Sequence, residues 1–410
     1  MQQENETIKL LFQHEYAKIV AVISRLFGLE HIEIAEDIVS ETFLLALQDW
    51  KAKGLPPNPE GWLYIAAKRK TLYYFRRNKI LKNKIIPALA KEQSKADVHE
   101  PDFSDQNIKD SQLQMLFAVC NPAIAAEAQI GLALRILCGF GIEEIADAFL
   151  SNKETINKRL FRAREKLRTE NIKMELPPAD EIEARLDNVL HVIYLLFNEG
   201  YYSKTQNAVL RKEFCLDAIR LGTMLTEYDK TNNPKTNALL ALMCFHSSRF
   251  AARQNTENSV ILFEQQDPSL WDSSLIKEGF RYLTLSAEGN EVSSYHLEAK
   301  IAGLHCLKED SLEKWENILH SYNQLLQINY SPAVALNRIF ALYKAQGKQV
   351  AIAEAENLKL ENNHFYHILL GELYRNIDNR KAIASLKKAH DLSISQTEKQ
   401  ILQMKIYNLQ

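Results

Sequence analysis

Glycine, proline and cysteine are all scarce in this chain of 410 residues, which has 13 glycines, 11 prolines and five cysteines. The low content of helix-breaking residues, together with long stretches of apolar residues at a spacing near 3.6, predicts an almost entirely helical protein. The five cysteines are scattered and form no CxxC pair or metal-ligand spacing with histidine. We therefore predict buried thiols in a reducing cytoplasm, with no metal ion and no cofactor.

Long apolar runs and an excess of one charge are missing as well. No segment has eighteen unbroken apolar residues and the N-terminus has no signal-peptide core, so we predict a cytoplasmic protein without a membrane span. The formal net charge is −2, so any surface for nucleic acid must arise from local clustering of charge. Because the chain has no Gly-rich phosphate loop and no nucleophile with a nearby base, we do not expect an enzyme.

Residues 142–168 show a helix–turn–helix pattern. Apolar residues recur at helical spacing on both sides of the break Leu150-Ser151-Asn152, and Asn152 is a candidate N-cap for the second helix. The outward face of that second helix is rich in lysine and arginine. This pattern is typical of a recognition helix that reads base edges and holds phosphates, although a solvated basic face is the alternative. The candidate DNA-binding residues are Lys153, Thr155, Asn157, Lys158, Arg159, Arg162 and Arg164.

A second basic segment lies between residues 62 and 91, where nine lysines and arginines occur without one acid and alternate with aromatic residues. A helix is predicted to begin near Asn58-Pro59-Glu60, since asparagine caps helices and proline is tolerated in a first turn. Cations that follow a backbone and rings that stack on bases suit single-stranded or melting DNA. The alternative is an amphipathic helix with its rings in the core. The candidate DNA-binding residues are Trp62, Lys68, Arg69, Lys70, Tyr73, Tyr74, Arg76 and Arg77.

The preceding helix, predicted for residues 34–50, has the opposite charge. Six acids and no lysine or arginine occur between Glu30 and Asp49. This run is either a solvated acidic face or a surface that docks onto a basic protein, with Ile38, Phe43 and Leu44 exposed among the carboxylates.

The first 170 residues therefore read as two helical modules joined by a polar linker, and three of their segments resemble one family. AEDIVSETFLLAL (35–47), PEGWLYIAAKRKTLYYFRR (59–77) and the helix–turn–helix resemble, in order, the polymerase-clamp, minus-ten and minus-thirty-five segments of bacterial sigma factors of the extracytoplasmic-function type, in the sigma-70 family. The resemblance implies that Asp37, Glu41 and Phe43 bind core RNA polymerase, that Lys68 to Arg77 open promoter DNA, and that Thr155 to Arg162 read the duplex.

The remaining residues also show helical patterns throughout. Leu336 and Leu370 are 34 residues apart, as are Phe340 and Tyr374, which is the tetratricopeptide period; a generic helical solenoid fits nearly as well. Through segments such as VIYLLFNEGYYS (192–203) and YSPAVALNR (330–338), the extension resembles the helical-repeat domain of one sigma-factor subgroup, and the resemblance implies a built-in regulator. A candidate groove for a protein or small-ligand partner comprises Asn198, Glu199, Tyr201, Gln266, Asp267, Trp271 and Asp272. The alternative is that Gly200 caps one helix and Asp267-Pro268 begins the next.

The sequence thus predicts an all-α protein with two small helical DNA- and polymerase-binding domains, the second a helix–turn–helix, followed by an α-solenoid-like domain. The predicted bounds are 1–81, a linker at 82–110, 111–172 and 183–410. The leading functional hypothesis is a sigma factor that brings core RNA polymerase to promoter DNA. The alternative is a conventional helix–turn–helix regulator with a helical sensor domain, which leaves the basic-aromatic segment unexplained.

Overall fold

The computed structural model describes residues 2–85, 100–149, 151–202, 211–253, 261, 266–307, 309–393 and 396–410. Across these residues every regular element is a helix, which confirms the all-α class. The chain divides into two compact units, the first containing the described residues up to Thr231 and the second those from Asn232 onward.

The first unit begins with three long helices. Their bounds are α1 (Gln2–Phe27), α2 (Ile32–Lys53) and α3 (Pro59–Ile85), with a 3₁₀ turn at Leu29–His31 between the first two. The α3 helix begins where the sequence predicts, because Asn58 Oδ1 accepts a hydrogen bond from the Gly61 backbone N–H at 2.8 Å. All three helices pack against one another around the fully buried Tyr16 and Leu63.

The helix–turn–helix follows after a second helical segment. The elements are α4 (Asp105–Val119), α5 (Ala126–Leu132), a π-helical turn (Ala133–Leu137), α6 (Ile142–Ala148) and α7 (Lys153–Thr169). Because α4 begins at Asp105 and buries Ile108, the last residues of the predicted linker at 82–110 are helical instead. Residues 86–99 of that linker, and Leu150 of the predicted turn, lie outside the described residues.

Two further helices complete the first unit, α8 (Ile182–Tyr202) and α9 (Lys212–Thr226). The apolar side of α8 is buried at Val189, Leu190 and Ile193, and the helix contacts α4 and α5. The Arg185 guanidinium donates a hydrogen bond to the Phe117 carbonyl at 2.9 Å. The predicted boundary at residue 183 therefore does not coincide with the division between the units, since the apolar residues of α8 bury against the preceding helices.

The second unit contains ten helices in its described residues, with a 3₁₀ turn at Pro268–Leu270. They are α10 (Pro234–Ser247), α11 (Phe250–Arg253), α12 (Ser273–Ser286), α13 (Ser294–Cys306), α14 (Leu312–Ile328), α15 (Pro332–Gln346), α16 (Lys348–Leu358), α17 (His364–Tyr374), α18 (Asn379–Leu392) and α19 (Gln396–Tyr407). From α12 to α19 each helix packs against the next along the chain. The α10 helix is central, because its residues from Ala238 to Phe245 are all buried.

The 34-residue spacing falls on α15 and α17. Leu336 and Leu370 are buried in one apolar cluster with Tyr374. Gly371 faces the next helix so closely that an added Cβ would be 2.7 Å from the Leu386 side chain. A small residue is therefore required at this helix contact.

Candidate nucleic-acid interface

A groove of about 770 Å³ lies between α2 and α3. One side presents the carboxylates of Asp37 and Glu41, and the other presents cations and rings of the basic segment. The lining residues are Ile34, Asp37, Ile38, Glu41, Arg69, Lys70, Leu72, Tyr73, Tyr74, Arg76 and Arg77. The structure thus brings six of the eight α3 residues predicted to bind DNA to one surface, and the two that do not line the groove are Trp62 and Lys68.

The aromatic residues of α3 differ in exposure. Tyr73 is 67% exposed, whereas Tyr74 packs edge-on against Phe27 with ring centroids 5.4 Å apart. Trp62 packs edge-on against the buried Trp50, with ring centroids at 5.3 Å. The core reading of the basic-aromatic segment is therefore correct for Tyr74 and Trp62, which pack α3 against its neighbours. Tyr73 is exposed, and its stacking on a base stays a prediction.

Tyr64 belongs to the inward-facing set. Its hydroxyl donates a hydrogen bond to the buried Glu15 carboxylate at 2.5 Å, and its ring stacks on Phe103. Burial raises the pKa of the Tyr64 phenol, and the hydrogen bond to Glu15 raises this pKa further. The side chain therefore stays neutral and structural across the physiological pH range.

The cations of α3 are partly paired. Lys70 forms an ion pair with Glu41 at 2.9 Å, and Lys68 forms one with Glu100 at 2.7 Å. Hydrogen bonding from Lys68, followed by its charge, lowers the pKa of the Glu100 carboxyl. Among the residues that the structure describes, Arg69, Arg76 and Arg77 are exposed and have no carboxylate within ion-pair distance. These three arginines are available to phosphates.

The acidic face of α2 is present, but one predicted contact residue is not on it. Asp37 and Glu41 are exposed, as expected. Phe43 is only 3% exposed and packs edge-on against Phe12, and Ile38 is buried too. The expectation of an exposed Phe43 and Ile38 is wrong, because both fall on the side of α2 that faces α1 and α3. The apolar residues exposed on α2 are Leu44, Leu45 and Leu47.

The second helix of the helix–turn–helix forms as the sequence predicts. Asn152 Oδ1 accepts a hydrogen bond from the Thr155 backbone N–H at 2.7 Å, which caps α7. The apolar residues predicted to face inward are all buried, namely Ile156, Leu160, Ala163 and Leu167. Because that stripe fixes the rotation of α7, Thr155, Asn157, Lys158 and Arg162 point to solvent.

Most cations of α7 have carboxylate partners. Lys158 pairs with Glu154 on the same helix, and Lys153 and Arg159 pair with acids on other helices. The distances are 2.6 Å for Lys158–Glu154, 2.6 Å for Lys153–Glu143 and 3.1 Å for Arg159–Glu127. Hydrogen bonding from Lys153 and its charge lower the pKa of the Glu143 carboxyl. Within the described residues Arg162 has no such partner. Exposed pairs of this kind contribute little in water, so these cations remain available to phosphates.

Arg164 is the exception, and its assignment to DNA needs correction. Its guanidinium donates to the Glu36 carboxylate of α2 at 2.6 Å. Glu36 is 6% exposed and also accepts from Arg135 Nε at 2.9 Å and from the Tyr16 hydroxyl at 3.2 Å. In this structure Arg164 therefore joins the helix–turn–helix to the first three helices and does not face solvent as a phosphate contact.

Phe161 is a surface residue that the sequence analysis missed. It is 62% exposed in the middle of α7, beside the exposed Lys158 and Arg162. An apolar ring on a recognition helix can contact the methyl group of thymine in the major groove. The signal was present in the helical spacing, because residue 161 lies off the buried stripe.

The candidate groove residues of the extension have local roles. Asp267 accepts a hydrogen bond from the Ser269 N–H at 2.8 Å and begins the 3₁₀ turn, as the alternative reading predicts. Asp272 accepts one from the Ser274 N–H at 2.9 Å and begins α12. Tyr201 is buried and stacks on Phe197, while Gln266 Nε2 donates to the Ile261 carbonyl at 3.1 Å. Asn198 and Glu199 are half-buried on α8, and Trp271 is half-buried after the 3₁₀ turn.

Gly200 does not have its predicted role as a left-handed helix cap. The α8 helix continues through it to Tyr202. An added Cβ at Gly200 would be 2.8 Å from the Arg211 carbonyl oxygen and 2.9 Å from Phe214 Cβ. The glycine is needed for this close approach between α8 and the start of α9.

In the described part of the chain no group of three or more histidine, cysteine, aspartate or glutamate side chains is arranged to hold a metal ion. No described helix is both long enough and apolar enough to cross a membrane. All five cysteines are buried with free thiols, and burial raises the pKa of the Cys244 thiol to about 12.

Comparisons with known proteins agree with this geometry. Sigma-70 region 2 matches residues 11–92, which include the groove between α2 and α3, and a family of unknown function (DUF6596) matches residues 185–287. An uncharacterized protein of Rhizobium meliloti (strain 1021) is 30% identical over 389 residues, covering 92% of this chain and 90% of that protein. No solved structure matches the chain. The chain therefore carries a segment that matches sigma-70 region 2 across its first three helices, and over most of its length it belongs to one family with the uncharacterized protein of Rhizobium meliloti.

Proposed function

We propose that the protein is a sigma factor of the extracytoplasmic-function type that directs core RNA polymerase to specific promoters. The observation that carries the proposal is the groove between α2 and α3, where exposed carboxylates face unpaired arginines and an exposed tyrosine within a sigma-70 region 2. The alternative, a conventional helix–turn–helix regulator, does not account for this groove. Its two faces have opposite charge and so suit two different partners, a basic protein surface and a nucleic acid.

Each surface then has a physical role. Asp37 and Glu41, with the exposed leucines of α2, dock on the polymerase. Arg76 and Arg77 hold the backbone of the minus-ten strand while Tyr73 stacks on an unpaired base. The exposed residues near the start of α7 read the minus-thirty-five duplex in the major groove. Binding to the opened strand lowers the free energy of the melted promoter. The protein therefore needs no chemical step of its own to open DNA.

The test is transcription in vitro by core polymerase on fragmented genomic DNA from the source organism. A stable complex with core polymerase and transcripts that start at defined positions are expected. Binding of a duplex operator with no association with polymerase would instead favour the conventional regulator. Affinity for a promoter should fall with salt, with a slope near −0.9 for each phosphate contacted.

The extension is proposed to be a tetratricopeptide-like regulatory domain that receives a protein or small ligand. A truncation tests this proposal, and the packing of α8 indicates where the chain should be cut. A cut after Leu176 would expose the buried side of α4 and α5, so the extension should be removed after Thr231, where the first unit ends. Transcription should then rise if the second unit inhibits, or fall if it is required. An unchanged transcript level would exclude a regulatory role for the second unit.

A further inference from the structure

Two helical modules that the proposed function assigns to separate promoter elements are tied together by one buried carboxylate. Glu36 of α2 accepts hydrogen bonds from Arg164 of α7 at 2.6 Å and from Arg135 of the π-helical turn at 2.9 Å. A buried carboxylate between two arginines is a strong, specific contact, because losing one partner leaves an uncompensated charge in a region with little water.

A second contact lies next to it at the surface. The Arg168 guanidinium, near the end of α7, donates to the Glu30 carbonyl at 3.1 Å and forms an ion pair with Glu33 at 3.6 Å. The C-terminal half of α7 is thus docked on the start of α2. The N-terminal half, with Asn157 and Lys158, remains exposed.

The geometry of this arrangement conflicts with simultaneous binding of both promoter elements. The elements are named for positions about 25 base pairs apart, which is about 85 Å along a duplex at 3.4 Å per base pair. The α7 helix has 17 residues and is about 25 Å long at 1.5 Å per residue. Glu36 is adjacent to Asp37, which lines the groove between α2 and α3. The two surfaces are therefore much closer together than the two elements.

We propose that Glu36, Arg135 and Arg164 form a latch, which we call the Glu36 latch, that holds the free protein closed and must open before both elements are bound. The contacts of the latch are observed in the structure. The need for the latch to open rests on the proposed function. Arg164 Nε is buried without a hydrogen-bond partner among the described residues, so the closed state leaves part of this guanidinium unsatisfied. A phosphate can replace Glu36 as the partner of Arg164 once α7 moves away.

The α9 helix, in the first part of the extension, contacts the turn that carries Arg135 of the latch. Arg220 of α9 donates to the Leu137 carbonyl at 2.6 Å, at the end of the turn that carries Arg135. Arg220 is itself oriented by Asp217, at 2.8 Å. The α9 helix and all of α8 from Arg185 onward lie within the residues matched by the family of unknown function. This segment therefore stabilises the closed arrangement and offers a route by which the extension biases it.

The test measures the distance between α2 and α7 in the full chain by spin labelling. Because all five native cysteines are buried, labels are directed to Gln48→Cys and Thr169→Cys, both at exposed positions. The unmodified chain should give one short, narrow distance distribution. Glu36→Gln should raise the open fraction about tenfold or more, since it removes the charge that pairs both arginines. Glu143→Gln is the matched control, because it removes an equal charge beside α7 within one module, and it should leave the distribution unchanged.

Arg168→Gln is a second variant that keeps the test informative if Glu36→Gln fails to fold, because the Arg168 contacts are exposed. It should open the chain to a smaller extent. Core polymerase with promoter DNA should lengthen the distance in the unmodified chain. The latch would be overturned if both variants gave distance distributions as short and narrow as that of the unmodified chain. It would also be overturned if an active promoter complex kept the short distance. If Glu36→Gln opens the chain but the unmodified protein does not bind core polymerase, the latch is supported and only the proposed function is contradicted.

Discussion

The α3 and α7 helices are both strongly basic in sequence, but their cations have different surroundings in the fold. Arg69, Arg76 and Arg77 of α3 are exposed without a carboxylate partner among the described residues. On α7 almost every cation is paired, and several of the partners come from α2, α5 and α6. The charge of a sequence window therefore overstates the charge that a helix presents, because distant segments supply the counter-charges.

The pairs on α7 also differ among themselves. Lys153–Glu143 is solvent-exposed and screened by water, so a phosphate can replace Glu143 easily. Arg164–Glu36 is mostly buried and cannot be exchanged at so small a cost. We infer that α3 meets DNA with arginines that have no carboxylate partner among the described residues, whereas most cations of α7 must first give up a partner.

Reversal of the unpaired arginines should give the largest loss. Arg76→Glu with Arg77→Glu should reduce promoter opening at least about 100-fold, because two attractive contacts with the backbone become repulsive. Permanganate footprinting of the opened strand measures this loss. Polymerase binding, measured by co-purification, should be unaffected. If co-purification is lost instead, α3 and not α2 carries the polymerase surface.

The exposed and packed rings of α3 should separate function from stability. Tyr73→Ala should weaken binding of single-stranded minus-ten DNA by about 1–3 kcal/mol, the usual contribution of one stacked base, with little change in urea unfolding. Tyr74→Ala is the matched control. Because Tyr74 packs against Phe27, its removal should lower the midpoint of urea unfolding. Equal losses of DNA affinity with unchanged unfolding in both variants would show that the exposure of Tyr73 has no special role.

On α7, Arg162 has no carboxylate partner in the part of the chain that the structure describes, and it should matter more than Lys158, which has one. Arg162→Ala should cost about 1–3 kcal/mol and relax base preference, because this side chain reaches the duplex with no partner to exchange. Lys158→Ala should cost less and uniformly across sequences, since Lys158 already has Glu154 as a partner. Affinities for a panel of duplexes at fixed salt measure both. A larger loss for Lys158→Ala would mean that pairing in the free protein does not predict the contribution to binding.

The local pattern of the sequence was sufficient for the helices and for much of the site. The buried stripe of α7, its cap at Asn152 and the start of α3 at Asn58 follow from spacing and capping within a few residues. The expected exposure of Phe43 was wrong because the side of α2 that faces inward depends on where α1 and α3 pack. The contact of Arg164 with Glu36 joins residues 128 positions apart, so no local pattern could reveal it.

Loss of a helix cap should give the smallest change in stability, and its effect on DNA affinity should differ between α7 and α3. Asn152→Ala and Asn58→Ala each remove one side-chain hydrogen bond to a backbone N–H, and each should cost about 1 kcal/mol of stability in urea unfolding. Fraying near Asn152 affects Thr155 and Asn157, the residues proposed to read bases, so duplex affinity should fall as well. Fraying near Asn58 lies more than three turns before Tyr73 and should leave binding of single-stranded DNA unchanged. A fall in both affinities would mean that the two helices respond to capping as one cooperative body.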